Sequence, residues 1–219
     1  KPKAALVRAM SRSVRVFERD GRRIGYICIY SYAGDDYHKV LIDQITSGQL
    51  AGSDALLIDL RPGFGGASPE YLAPFLPAPV MTMQGRGEGP RLVSDFRWNR
   101  PVGLLIDERS RSGKEVLAHG FRSLKLGPLI GETTAGAVVG GTAFMLADDS
   151  MLFLAVADVE VDGQRLEGKG VRPTIEVPFD IPYSNGEDPQ LERGLDVLAE
   201  MAAESDQPRL PQRRPSRPL

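Results

Sequence analysis

The sequence predicts an α/β domain built on a mainly parallel sheet with helices over both faces. Three observations carry this. The strand candidates are continuous apolar runs, as strands covered on both faces must be. They alternate along the chain with helical patterns, the order of a sheet joined by crossovers. And 219 residues are enough chain to bury a core without disulfides or metal; with one cysteine, Cys28, no internal disulfide can form.

The elements follow in order. Residues 1–23 are basic and are read as a linker, ending in the charged turn Arg19-Asp20-Gly21-Arg22-Arg23. Residues 24–30, Ile24-Gly25-Tyr26-Ile27-Cys28-Ile29-Tyr30, form the first buried strand. Gly34-Asp35-Asp36 start a helix that runs to about Ser47, with Val40, Leu41 and Ile45 on one face. Residues 55–60 are the second strand, which ends in the glycine-rich Arg61-Pro62-Gly63-Phe64-Gly65-Gly66 before a helix over 69–76. Residues 77–101 are Pro- and Gly-rich and suit a hairpin or a mobile loop. Residues 102–107 are the third strand, followed by a turn and a helix over 113–124. Short strands are expected at 129–132, 143–146 and 152–156, then a turn-rich stretch from 159 to 173. Asp188 caps a last helix with Pro189 in its first position and an apolar stripe of Leu191, Leu195, Leu198 and Met201. The core domain is thus 24–204, and the polar, basic, Pro-rich 205–219 reads as a disordered tail.

Charge narrows the function. The chain has 27 Lys and Arg against 29 Asp and Glu, net −2. Residues 1–23 carry +6 and residues 208–219 carry +4, which leaves −12 in the body. A body that acidic excludes nucleic-acid binding by counterion release. The longest apolar run, Met151 to Ala157, is far short of the ~20 residues of a membrane span. No signal peptide is recognised, and the chain starts at Lys1 without methionine, so a processed protein or an excised piece of a longer one is expected.

Ligand sites in parallel sheets lie at the carboxyl ends of strands. Two such ends carry chemistry-bearing residues: the glycine loop after Asp59, and Asp107-Glu108-Arg109-Ser110-Arg111-Ser112-Gly113-Lys114-Glu115. Ser112 sits where a strand gives way to a helix, beside free N–H groups and the positive end of the helix dipole. That position suits a helix cap, and equally a nucleophile with a place for developing negative charge. Gly63, Gly65 and Gly66 can bring backbone N–H groups close to it; the loop lacks the Lys-Ser/Thr pair of a phosphate loop.

Five motifs in this order resemble peptidase family S41, the tail-specific (C-terminal processing) and tricorn-like core proteases. They are Ile24-Gly25-Tyr26-Ile27; Leu57-Ile58-Asp59-Leu60-Arg61 with Gly65-Gly66; Ser112-Gly113-Lys114-Glu115; Gly131-Glu132-Thr133-Thr134-Ala135-Gly136-Ala137; and Leu166-Glu167-Gly168-Lys169-Gly170-Val171-Arg172-Pro173. The resemblance covers roughly residues 16–200. It implies a ClpP/crotonase-like core, a polypeptide substrate, and hydrolysis through an acyl-enzyme on Ser112. Gly113 then matches one oxyanion donor and Gly65 or Gly66 the other. The tail-specific branch takes its base from a lysine where this chain has Ala137. Glu167 matches the late glutamate of the tricorn-like branch, whose serine and histidine lie upstream. The resemblance also allows a homo-oligomer and implies an exported bacterial location, with residues 1–23 as the exit from a PDZ-like domain. A peptide-binding module without catalysis and a crotonase-like acyl-CoA enzyme are the alternative readings.

No base within the chain is expected to reach Ser112. His119 is seven residues on, ~10.5 Å along one helix, and is read as a surface or packing residue. His38 is expected to be exposed, and Lys114 to be a solvated first-turn lysine pointing away. No His, Cys or Asp cluster with ligand spacing surrounds Glu167, so neither metal nor cofactor is expected.

Overall fold

The computed structural model describes residues 2–76, 81–84, 91–94, 97–180, 182 and 185–205. Its main sheet has six strands in the order β1-β2-β3-β6-β7-β12. These are Arg15–Arg19, Arg22–Cys28, Ala55–Asp59, Val102–Ile106, Leu129–Gly131 and Ile175–Glu176. Only the β1–β2 pair is antiparallel; the other four pairings are parallel. Every residue of β3 and of β6 is buried, which explains why their sequences do not alternate. Two antiparallel hairpins stand apart from the main sheet: Met81–Gln84 with Arg91–Ser94 (β4–β5) and Gly140–Met145 with Met151–Ala157 (β8–β9). A third pair, Glu160–Val161 with Gln164–Arg165 (β10–β11), is minimal.

Helices cover both faces. On one side α2 (Asp35–Thr46), α3 (Gly113–Ser123) and a 3₁₀ turn (Pro69–Phe75) pack on Ile27, Leu56, Ile58, Leu104 and Ile106. On the other, α4 (Pro189–Ser205) lays Leu195, Leu198, Ala199 and Ala202 on Ile24, Ala55, Leu57, Leu105 and Ile130. Alternate residues of β3 therefore serve different layers, as a strand's period of two requires. Asp188 caps α4, its Oδ1 accepting the Leu191 N–H at 2.9 Å.

The structure differs from the sequence reading in two places. Residues read as a linker hold α1 (Pro2–Ser13) and edge strand β1, with Met10 and Val14 in the core. The many basic residues hid an apolar spacing of four at Leu6, Met10 and Val14. Strand β12 was not expected because it is only two residues long. Within 77–101 the backbone forms the β4–β5 hairpin, one of the two options named. The tail beyond Ser205 lies outside the described residues.

Candidate active site

The site forms where β3 and β6 end side by side. Beyond Asp59 the chain continues parallel to the segment that follows β2: the Phe64 N–H donates to Tyr30 O at 2.7 Å and the Tyr32 N–H to Gly65 O at 3.0 Å. Glycine is required here. Gly63 has φ +86°, and a Cβ there would lie 1.8 Å from the Tyr30 carbonyl oxygen. A Cβ at Gly65 would lie 2.6 Å from Ser112 Cβ and 3.2 Å from its Oγ. The loop thus presses its backbone against the serine, and Phe64 at its tip is 64 % exposed.

Ser112 arrives from the other side. The turn after β6 is locked by Ser110, whose buried hydroxyl donates to Leu60 O at 3.1 Å and accepts the Asp107 N–H at 3.2 Å. Ser110 is therefore a structural residue. Ser112 has φ +58° and ψ −132°, backbone that a residue with a Cβ rarely adopts. Two acceptors hold its N–H, Ala137 O at 2.9 Å and Glu115 Oε2 at 3.1 Å. Among the described residues the N–H groups of Gly65, Gly66 and Gly113 make no hydrogen bond. They lie around the serine at the first turn of α3, where the helix dipole is positive.

Two glutamates frame the segment that follows β7. Glu115, fully buried, accepts from Thr134 Oγ1 (2.5 Å), Gly136 N (2.7 Å) and Ala137 N (2.9 Å) as well as from Ser112 N. Glu167 accepts the Val138 and Val139 N–H groups at 2.6 and 3.1 Å. Glu167 thus holds the segment whose Ala137 carbonyl receives the Ser112 amide. Sequence reasoning used Glu115 only to locate Ser112. Its role had one readable signal, a glutamate three residues after a cap serine.

Lys114 corrects an expectation. It is 1 % exposed, and its Nζ donates to Ile29 O (2.6 Å), Leu60 O (3.2 Å) and Pro62 O (2.6 Å). From α3 it thereby fastens the ends of β2 and β3. Burial pushes its ammonium down to about 8, with Cys28, Asp59 and Asp107 opposing. The histidines are also enclosed. His119 is 2 % exposed and pairs with Asp162 at 3.1 Å. His38, half-buried rather than exposed, stacks on Tyr71 at 4.2 Å and meets Tyr32 Oη at 3.3 Å. Burial lowers the His38 pKa, with Asp35 opposing. Among the described residues no His, Lys or carboxylate is hydrogen-bonded to Ser112 Oγ, and no group of His, Cys, Asp and Glu has the arrangement of a metal site.

A serine at a strand-to-helix turn thus lies against a glycine loop on a mostly parallel sheet. The chain belongs to peptidase family S41, whose model matches residues 23–177. It is 27 % identical over 205 residues to the tricorn protease of Thermoplasma acidophilum, with 84 % of this chain and 18 % of that protein covered. It is 28 % identical over 167 residues to the carboxy-terminal processing protease CtpA of Bacillus subtilis, covering 72 % of this chain and 36 % of that protein. The chain thus spans well under half the length of either relative. The crystal structure of the tricorn protease superposes with a TM-score of 0.66 at 22 % identity, over 92 % of this chain and 19 % of that one. The expected α/β fold and protease family are both borne out.

Proposed function

We propose that this chain is the core of a serine peptidase with Ser112 as nucleophile. The observation that supports it best is the Ser112 backbone, held at positive φ beside three unbonded amides. In this reading Oγ attacks the scissile carbonyl of a polypeptide. The oxyanion is received by the Gly113 N–H and by that of Gly65 or Gly66. The C–N bond then breaks, the amine leaves with the proton taken from Oγ, and water hydrolyses the acyl-serine. Glu167 acts through the 137–139 segment as a positioning residue. The general base comes from a region preceding this core, as in the tricorn-like branch that the motifs resemble. The absence of a base on Ser112 Oγ among the described residues favours this. It also suits a second reading, an S41-fold module that binds peptides without cleaving them.

A fluorophosphonate probe separates the two. The first reading expects labelling of the chain extended by its preceding region, abolished in Ser112→Ala. The second expects no labelling in either, with peptide binding retained.

A further inference from the structure

His119 is a polar residue on the core side of α3. It is buried, and its Nε2 lies 3.1 Å from Asp162 Oδ2. A carboxylate only accepts, so Nε2 carries the hydrogen and donates it. Nδ1 is equally buried and has no partner among the described residues. An apolar side chain would fill the same place with no polar atom to satisfy. What histidine adds is reach to Asp162, at the turn between β10 and β11. Asp162 has φ +52° and Gly163 φ +67°, a tight turn that asparagine or glycine would make as well. Turn geometry therefore does not account for the bond to His119.

Two features give this contact a use. First, little else holds the hairpin. Each strand has two residues, and a lone two-stranded pair is marginal in water. Apart from His119, the described polar contacts of residues 158–165 are internal, Arg165 Nε donating to Asp158 Oδ1 at 3.1 Å. Val159 and Val161 are only partly buried against the core. Second, the hairpin leads straight into Leu166 and Glu167. Ser112, Glu115 and His119 fall at i, i+3 and i+7, on one face of α3. Glu115 holds the 134–137 segment there, and His119 holds the hairpin. The two held segments then meet: Glu167 takes the Val138 and Val139 amides, and the Gly168 N–H donates to Gly136 O at 2.8 Å. The contacts close a ring with Ser112 at one corner.

We propose that His119 and Asp162 form a positioning pair for the serine. The pair fixes the hairpin on α3, and the hairpin fixes Glu167. Glu167 in turn fixes the 137–139 segment, whose Ala137 carbonyl receives the Ser112 amide. Both residues act through Glu167 rather than on substrate. Their effect on turnover rests on the peptidase reading; their effect on the 137–139 segment does not.

Four substitutions test this. Asp162→Gly keeps the left-handed turn and removes the acceptor; His119→Phe keeps a buried ring and removes the donor. Asp162→Asn keeps an acceptor, and His119→Gln keeps a donor at similar reach. Hydrogen exchange on the 219-residue chain reads the Val138 and Val139 amides. Exchange there should quicken at least about tenfold in Asp162→Gly and His119→Phe, with β3 and β6 unchanged, and return toward native in the two conservative variants. In a chain extended by a preceding region that supplies the base, Asp162→Gly and His119→Phe should lower kcat at least about tenfold with KM within about twofold. Fluorophosphonate labelling should slow in step. Native exchange at 138 and 139 in both disruptive variants overturns the proposal. So does a loss that the conservative variants share in full, because the His119–Asp162 bond is then not the tie. So does lost protection with turnover unchanged, because the segment then does not place the serine. If the native extended chain takes no label at all, the peptidase reading fails instead, and exchange alone decides whether the pair holds the segment.

Discussion

Ser112 carries strain that its chemistry does not need once the hydroxyl is gone. Positive φ in a residue with a Cβ costs about 1–3 kcal/mol, and Ser112 sits at +58°. Ser112→Ala keeps that cost and loses the hydroxyl proposed as nucleophile. Ser112→Gly loses both. Denaturant unfolding should show Ser112→Gly more stable than Ser112→Ala by about 1 kcal/mol, with neither forming an acyl-enzyme; equal stability would mean that the backbone is relaxed there. Lys114 makes a different prediction. Its three carbonyl acceptors lose their donor in Lys114→Met, which should cost about 2–4 kcal/mol. The pH dependence has a definite sign. The folded pKa is about 8 against 10.5 for the ordinary group. Between those values the unfolded chain binds more protons, so this group's contribution to stability rises with pH there. The stability difference between native and Lys114→Met chains should therefore widen between pH 8 and 10.5, and a constant difference would sink the assignment. The sequence could not place Lys114: a lysine in a first helical turn is ordinarily solvated, and the carbonyls it meets lie just past the ends of strands, 52 to 85 residues away.

At the scale of elements, the site is a joint between two strand ends, with little freedom to open. Gly65 lies against Ser112, and Gly113 against Ala67 and Gly66. A methyl at Gly65 would have to displace Ser112 or the Arg111 carbonyl, 2.6 and 2.7 Å away. Gly65→Ala should therefore lower turnover by orders of magnitude at a stability cost of about 1–3 kcal/mol, measured in the complete enzyme; wild-type turnover would show that the loop does not serve the serine. The glycine loop and the strand-to-helix serine were legible because both follow long apolar runs with conspicuous turn residues. The tie between Glu115 and the 134–137 segment was not. It joins residues 19 to 22 apart through the Thr134 hydroxyl and two backbone N–H groups, and backbone N–H groups are supplied by any sequence. Strand β1 escaped for another reason: at an edge, with arginines at both ends, its composition resembles a linker's.

The whole molecule is a sheet whose two faces are closed by helices distant in sequence. Arg61, buried at the end of β3, forks onto Asp59 and reaches Asp188 at 2.7 Å. This pins the start of α4 beside the glycine loop. Burial alone would push the Asp188 carboxyl up, but Arg61 and the first amides of α4 hold it below the usual carboxylate range. Truncation before α4 would expose Ile24, Leu57 and Leu105 and leave Arg61 short of a partner. On the proposed reading, the chain should fold cooperatively yet hydrolyse peptides about 10²–10⁴-fold more slowly than a version extended by a preceding region that supplies the base. Comparing the two checks this; equal rates, both abolished by Ser112→Ala, would mean that a base lies within these residues. The fold was readable as a whole because parallel strands leave continuous apolar runs. The partners of Ser112 were not, because they are backbone groups and a carboxylate brought in by topology. One consequence follows from how Ser112 is held. Its amide is fastened by the Ala137 carbonyl and by Glu115, whichever atom its side chain ends in. Exchanging that hydroxyl for hydrogen removes neither of these bonds, so the frame around residue 112 stands. On the proposed peptidase reading, the disarmed chain should therefore serve as bait, holding polypeptides uncut long enough to be recovered and sequenced; recovery of none would count against that reading.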